Sequence, residues 1–146
     1  MSKLVEIFYN LGKHDAQLLR EEAKDLTGTQ IIAREMSIPH FDPEKDYTSW
    51  PIGSPVIDED QVWILLSPYN AAHYPQRPAE LRSLWGLAHT KDPAKAKPWV
   101  DAYGTSGMYM KDECYKDELG NVWRALNDNL VYDATVYPQG WEQVII

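Results

Sequence analysis

Lys97-Pro98-Trp99 opens, and Gly140-Trp141-Glu142-Gln143-Val144 closes, the stretch on which the fold of this chain turns. Between them stand Tyr109, Glu113-Cys114-Tyr115, the polar turn Asp117-Glu118-Leu119-Gly120 and Asn121-Val122-Trp123-Arg124-Ala125. Short apolar and aromatic runs bounded by Gly, Asp and Asn read as strands joined by tight turns. Glu113–Tyr115 is therefore expected to pair with Asn121–Ala125 across the Asp117–Gly120 turn. Asn127 to Asp133 reads as a loop, and Gly140–Val144 as a last strand.

Upstream, the same grammar recurs. Val56-Ile57 and Val62-Trp63-Ile64-Leu65-Leu66 flank the acidic turn Asp58-Glu59-Asp60, which predicts a hairpin. Prolines at 39, 43, 51, 55, 68, 75 and 78 exclude long helices from this region. Leu81 to Trp85 reads as a short strand or a helical turn. Laid together, the halves match as an internal repeat. Pro39-His40-Phe41-Asp42 aligns with Pro98-Trp99-Val100-Asp101, Tyr47 with Tyr103, and Gln61-Val62-Trp63 with Asn121-Val122-Trp123. The loop ending Tyr74-Pro75 aligns with the loop ending Tyr137-Pro138, and Leu84-Trp85 with Gly140-Trp141. Each copy is expected to turn a hairpin Trp (Trp63 or Trp123) inward. A later Trp (Trp85 or Trp141) and an early aromatic (Phe41 or Trp99) then close over it. Each such ring buries ~150–250 Å², most of what so small a unit needs. Trp50 and Trp99 border loops and are expected to be more exposed.

The leader, from Lys3 to about Ser37, has helical spacing. Leu4, Ile7, Phe8 and Leu11 share one face, with Gly12 expected to end or kink the segment. Ala16, Leu19, Ala23 and Leu26 form a second stripe. Thr27-Gly28-Thr29-Gln30 has capping-box spacing and should open a third segment through Ile31, Ile32 and Met36, stopped by Pro39. Leu4, Leu11 and Leu18 recur every seven residues, but no companion positions sustain a coiled coil. Packing on its own domain or docking to a neighbour, copies of itself included, fits the leader better. His89 to Pro98, rich in Lys, Ala and Pro, reads as a linker too polar for core.

The 146 residues carry a formal charge of −8, six Trp, nine Tyr, two Phe and one Cys. An acidic chain lacks the basic face that phosphate neutralisation needs, which argues against nucleic acid. A lone Cys114 allows neither an internal disulfide nor a Cys-rich zinc site and is expected to be a buried thiol. No apolar run approaches the ~20 residues of a membrane span, and charge interrupts the first residues too early for an export signal. His14, His40, His73 and His89 lack metal-ligand spacing, the Asp58–Asp60 and Asp117-Glu118 runs lack calcium-loop spacing, and no nucleophile elbow or phosphate loop occurs. A non-enzymatic chain without cofactor is the expectation.

Trp99, Tyr109, Val122-Trp123-Arg124-Ala125 and Trp141-Glu142-Gln143-Val144 together resemble carbohydrate-binding module family 5/12, the chitin-binding type-3-like domain. The whole layout resembles small tail and virion proteins of bacteriophages and prophages, in which a capped helical leader precedes one or two such modules. The resemblance implies a mainly β fold with an α-helical leader at 1–38. It implies two small tandem antiparallel β modules at 39–88 and 98–146, with a linker at 89–97. It also implies a chain made in the host cytoplasm and carried in the virion. Its partner would be a glycan or a neighbouring virion protein, with homo-oligomer contacts through the N-terminal helices and no membrane. Rings for stacking on sugar would be Tyr69, Tyr74, Trp99, Tyr132 and Tyr137, with Asn127 and Asp128 beside them for hydroxyls. Asn70 and Asp133 are further candidates, although Asn and Asp at such positions also simply make turns. The stretch Leu126–Leu130, where sugar-binding members carry a surface aromatic pair, has no ring. Assembly without sugar binding, or service as an accessory module of a polysaccharide-degrading enzyme, are the other readings.

Overall fold

In the computed structural model, which describes residues 2–145, the chain is mainly β behind a helical leader. Helix α1 spans Lys3–Glu22, is capped by Ser2 Oγ accepting from the Val5 N–H at 3.2 Å, and continues into a 3-10 turn at Ala23–Asp25. Gly12 neither ends nor kinks it. A mid-helix Gly costs only about 1 kcal/mol against Ala, and no Pro follows to stop the helix. Helix α2, Gly28–Ala33, has the expected capping box: the Gln30 N–H donates to Thr27 Oγ1 and the Thr27 N–H to Gln30 Oε1. Met36, expected on its apolar face, lies in a separate 3-10 turn and is 99% exposed.

Strands β1 (Pro55–Asp58), β2 (Gln61–Leu65) and β3 (Trp85–Leu87) make a first sheet in that order. Strands β4 (Lys97–Pro98), β5 (Cys114–Lys116), β6 (Val122–Ala125) and β7 (Trp141–Val144) make a second, also in that order. Both expected hairpins form, with Val56 opposite Trp63 and Tyr115 opposite Trp123. Leu81–Leu84 stays outside β3 as a turn. The sheets are not purely antiparallel, because β4 runs parallel to β5. Pro39–Phe41 does the same beside β1: the Phe41 N–H donates to the Ile57 carbonyl at 2.8 Å and the Ile57 N–H to that of Pro39 at 2.9 Å.

Matching hydrogen bonds place the two sheets in register. Leu66 donates to the Leu84 carbonyl at 2.8 Å, and Leu126 donates to the Gly140 carbonyl at 2.9 Å. Trp85 pairs with Leu65 and Trp141 with Ala125. His40 pairs with Ile57 and Pro98 with Lys116, so Phe41 corresponds to Trp99 and the Pro39/Pro98 match shifts by one residue. The Tyr47/Tyr103 match also fails. Tyr47 stacks on Phe41 at 6.0 Å, and its counterpart Tyr109 stacks on Trp99 at 5.0 Å, whereas Tyr103 is 58% exposed.

Each sheet thus packs one face against a quartet of rings: Phe41, Tyr47, Tyr69 and Trp85 in the first, Trp99, Tyr109, Tyr115 and Trp141 in the second. In the second quartet every ring touches the other three at 4.8–6.0 Å between centroids. Each such pair contributes about 0.5–1.5 kcal/mol beyond its area. Trp63 is buried beside the first quartet, but Trp123, expected inward, is only partly buried. Trp50 and Trp99 are likewise partly buried.

The backs of the sheets are covered differently. Leu19, Ala23, Ile31, Ile32 and Ile38 of the leader pack on Val62 and Ala88 behind the first. Behind the second, Ala96 packs on Cys114 and Val122. The segment from His89 onward is therefore no loose linker: His89, Thr90 and Ala96 are buried, and Cys114 donates to the Thr90 carbonyl at 2.8 Å. Small apolar groups and a strand-like bond hold it despite its polar composition. The Lys91 N–H donates to Thr29 Oγ1, and Lys97 pairs with Glu35 at 2.5 Å.

Candidate functional site

The hairpin between β5 and β6 turns sharply because Gly120 adopts φ 84, in the left-handed region that glycine enters at little cost. Asp117 organises that turn. Its Oδ1 accepts from the N–H groups of Leu119 and Asn121, both at 2.9 Å, and its Oδ2 from the Trp123 indole at 2.9 Å. The indole bond, chiefly, with the Asn121 and Leu119 N–H groups, holds this carboxyl below the usual range against a smaller desolvation effect. Opposite, Asp133 Oδ1 accepts from Thr135 and Val136 and fixes the loop before β7.

Between these two turns lies a groove of about 850 Å³. Pro98, Trp99 and Tyr115 form its floor, and Lys116, Asp117, Glu118 and Leu119 one wall. Asp133, Thr135 and Val136 form the other. One side of the Trp99 ring lies on Tyr109, and its indole N–H donates to Asp101 Oδ1 at 2.8 Å. The groove thus offers a held aromatic ring flanked by carboxylates of two turns, with Lys116 as its one cation. That chemistry suits binding of a flat or cationic group.

Of the residues expected to meet a ligand, the groove gathers Trp99 and, among the secondary candidates, Asp133. Tyr69 is corrected to a core ring, 7% exposed, whose hydroxyl accepts from the Trp85 indole at 2.8 Å. It reads as a loop residue in the sequence because the element that buries it, β3, lies beyond the loop. Tyr74 is exposed at the far sheet. Tyr132 is exposed, with its backbone carbonyl taking the Trp141 indole, and Tyr137 is partly covered where its ring lies over Gly140. Neither lines the groove. Asn127 is exposed, and Asp128 is engaged as the acceptor of the Lys111 N–H at 2.9 Å. Lys116, Leu119, Thr135 and Val136 escaped the sequence reading, and Glu118 was weighed there only for calcium. They border turns, and only the parallel strand β4 brings Trp99 between them.

A second cavity, about 420 Å³, sits where the leader meets both sheets and is lined by Ala23, Ile52, Leu87, Met108, His89 and Glu113 among others. His89 stacks on Tyr109 at 3.7 Å, and its Nε2 lies 3.0 Å from the Gly107 carbonyl. Burial pushes the imidazole down to about 4, with Arg82 adding to the effect and the Gly107 bond opposing it. Burial also raises Glu113, whose Oε1 accepts from Met110. A neutral, stacked His89 among mostly apolar neighbours makes this a seam of the fold. Cys114 is buried with its thiol pushed up by burial, and no cluster of His, Cys, Asp or Glu among the described residues has the geometry to hold a metal. Among them, too, no helix is long and apolar enough to cross a membrane.

No protein-family model matches the chain, and no curated protein matches it.

Proposed function

We propose that this chain is a non-enzymatic bacteriophage or prophage virion protein. Its two β modules, of carbohydrate-binding type, serve attachment to a host-surface glycan or to a neighbouring particle protein. The placement in a particle rests on the resemblance of the layout. The attachment role rests on the open groove beside Trp99, a ring that the fold keeps reachable when most others are spent on the core.

Helix α1 is the anchor in this reading. Leu4, Ile7, Phe8 and Leu11 are each about half exposed or more, at 63%, 48%, 64% and 53%. Among the described helical residues before Leu19, none is buried. So long an apolar face is the mark of a surface that meets a partner.

Between the two partners, the groove favours a protein. Of its two rings only Trp99 is reachable, since Tyr115 is buried and set edge-on to it at 71°, so no flat two-ring platform for a sugar is formed, and carboxylates line its sides. The glycan reading keeps Tyr132, exposed nearby in sequence, in its support. A polysaccharide pull-down and a glycan array compare the full chain with Trp99→Phe and Tyr132→Ala. Retention lost in these variants supports glycan attachment. No retention of any glycan, with the chain incorporated into particles, leaves the protein partner. Absence from particles together with no retention sinks the attachment role.

A further inference from the structure

In the first sheet, the place that corresponds to the groove is already filled. Phe41 corresponds to Trp99, and Asp58 to Asp117, each the residue that enters its hairpin turn. Arg77, from the longer connection between β2 and β3, lies across them. Its guanidinium sits 5.9 Å from the Phe41 ring centroid and its Nη1 is 3.1 Å from Asp58 Oδ1. Ring and carboxylate together are a guanidinium seat: the plane meets the π face, and the N–H groups meet the oxygens.

The second sheet has ring and carboxylates without the guest: Asp117 is partly engaged by its own turn and the Trp123 indole, and Glu118 and Asp133 stand with it. The connection from β6 to β7 is shorter and supplies no arginine. More broadly, cations of this chain lie over Phe41, Trp50 and Trp63, through Arg77, Arg20, Lys45 and Arg82. Among the described residues, none lies over a ring between 97 and 145. Yet the carboxylate side is richer there, with Glu118 and Asp133 joining Asp117 around about 850 Å³ of groove. Among the described residues that line it, Lys116 is the one opposing charge.

We propose that the groove of the second sheet receives an arginine side chain of a neighbouring polypeptide, seated between the Trp99 ring and the carboxylates of Asp117, Glu118 and Asp133 as Arg77 is seated between Phe41 and Asp58. The inference deepens the protein-partner reading above and rests on it. The guest's charge answers the acidic walls, and its flat head uses the ring. A lysine fits less well, because an ammonium has no plane to lay on the indole.

The test is NMR of the ¹⁵N-labelled full chain, read at the indole N–H signals. Acetyl-arginine amide is titrated against its neutral isostere acetyl-citrulline amide, with chitotriose as a third arm. The arginine compound should move the Trp99 and Trp123 indole signals and leave that of Trp63 still. Citrulline should bind at least about tenfold more weakly, having lost the charge assistance. Glu118→Gln should weaken the response several-fold. Thr135→Arg, which supplies a resident guanidinium, should abolish it. Arg77→Ala should open a second seat and bring the Trp63 signal into the response. An equal response to citrulline, or no response to arginine in either protein, overturns the inference. Chitotriose moving the Trp99 signal where arginine does not overturns it too, while leaving glycan attachment standing.

Discussion

The two sheets share strand order, register and a four-ring core, yet differ in what completes them. The first is enclosed. The leader covers its back, and Arg20, Lys45, Arg77 and Arg82 lie over its rings. The second is backed by little more than Ala96 and keeps a groove beside its early aromatic. On the proposed reading, one framework serves two ends. Where the chain supplies every neighbour the unit is structural, and where it withholds one the unit is free to bind.

The largest expected effects come from the tryptophans that close each quartet. Trp85 is fully buried and Trp141 is 5% exposed. Trp85→Ala and Trp141→Ala should each cost about 3–5 kcal/mol in urea unfolding, with the enclosed Trp85 at the upper end. A much smaller loss for Trp141 would mean that the second quartet is a surface cluster rather than a core.

Acid should act at the seam. His89 titrates near 4 in the fold against 6.5 unfolded. Well above pH 6.5 it is neutral in both states. As the pH falls from 6.5 toward 4 the unfolded chain takes up the proton first, so stability declines by roughly 3 kcal/mol and then levels off. His89→Gln should flatten urea midpoints measured across that window. An unchanged slope would show that another group governs it.

Next come the hydroxyls that hold each quartet together. Tyr69 accepts from the Trp85 indole, and Tyr115 accepts from the Ala134 N–H at 2.9 Å. Tyr69→Phe and Tyr115→Phe should each cost about 1–3 kcal/mol, because a buried donor is left unmet. The comparison sharpens if Tyr115→Phe also alters ligand response, since Tyr115 floors the groove whereas Tyr69 floors none.

Much of this contrast escaped the sequence for a physical reason. The hairpins were legible because turn residues and β-branched or aromatic runs are local signals. Trp63, Trp85 and Trp141 were legible as core because a small unit has few other uses for an indole. Tyr109 was passed over for Tyr103 as the counterpart of Tyr47, since its partner across the loop, Leu130, is set by tertiary pairing. Arg77 carried no signal at all. Its role depends on the parallel Pro39–Phe41 segment, and so small a parallel pairing leaves no periodicity to read. The burial of His89, Thr90 and Ala96 was hidden by the lysines around them, of which Lys91 is exposed and Lys95 and Lys97 pair with Glu35.

The smallest expected effect is on stability when residues 3–16 are deleted. Leu19 is the buried residue of α1, so the unfolding free energy from urea melts should change by less than about 1 kcal/mol. Sedimentation should nonetheless show lost self-association or lost particle incorporation. A large drop in stability would instead place this half of the helix in the core of the fold.

Glu35 pairs with both Lys95 and Lys97, and the Gln61 side-chain amide donates to the Pro98 carbonyl. Helix α1 is tied back toward this corner through the Glu22–Arg34 pair at 2.7 Å. The helical leader is thus joined by charge to β4, one residue from Trp99. On the anchor reading, the segment that would hold the chain and the strand that borders the groove meet at this one corner.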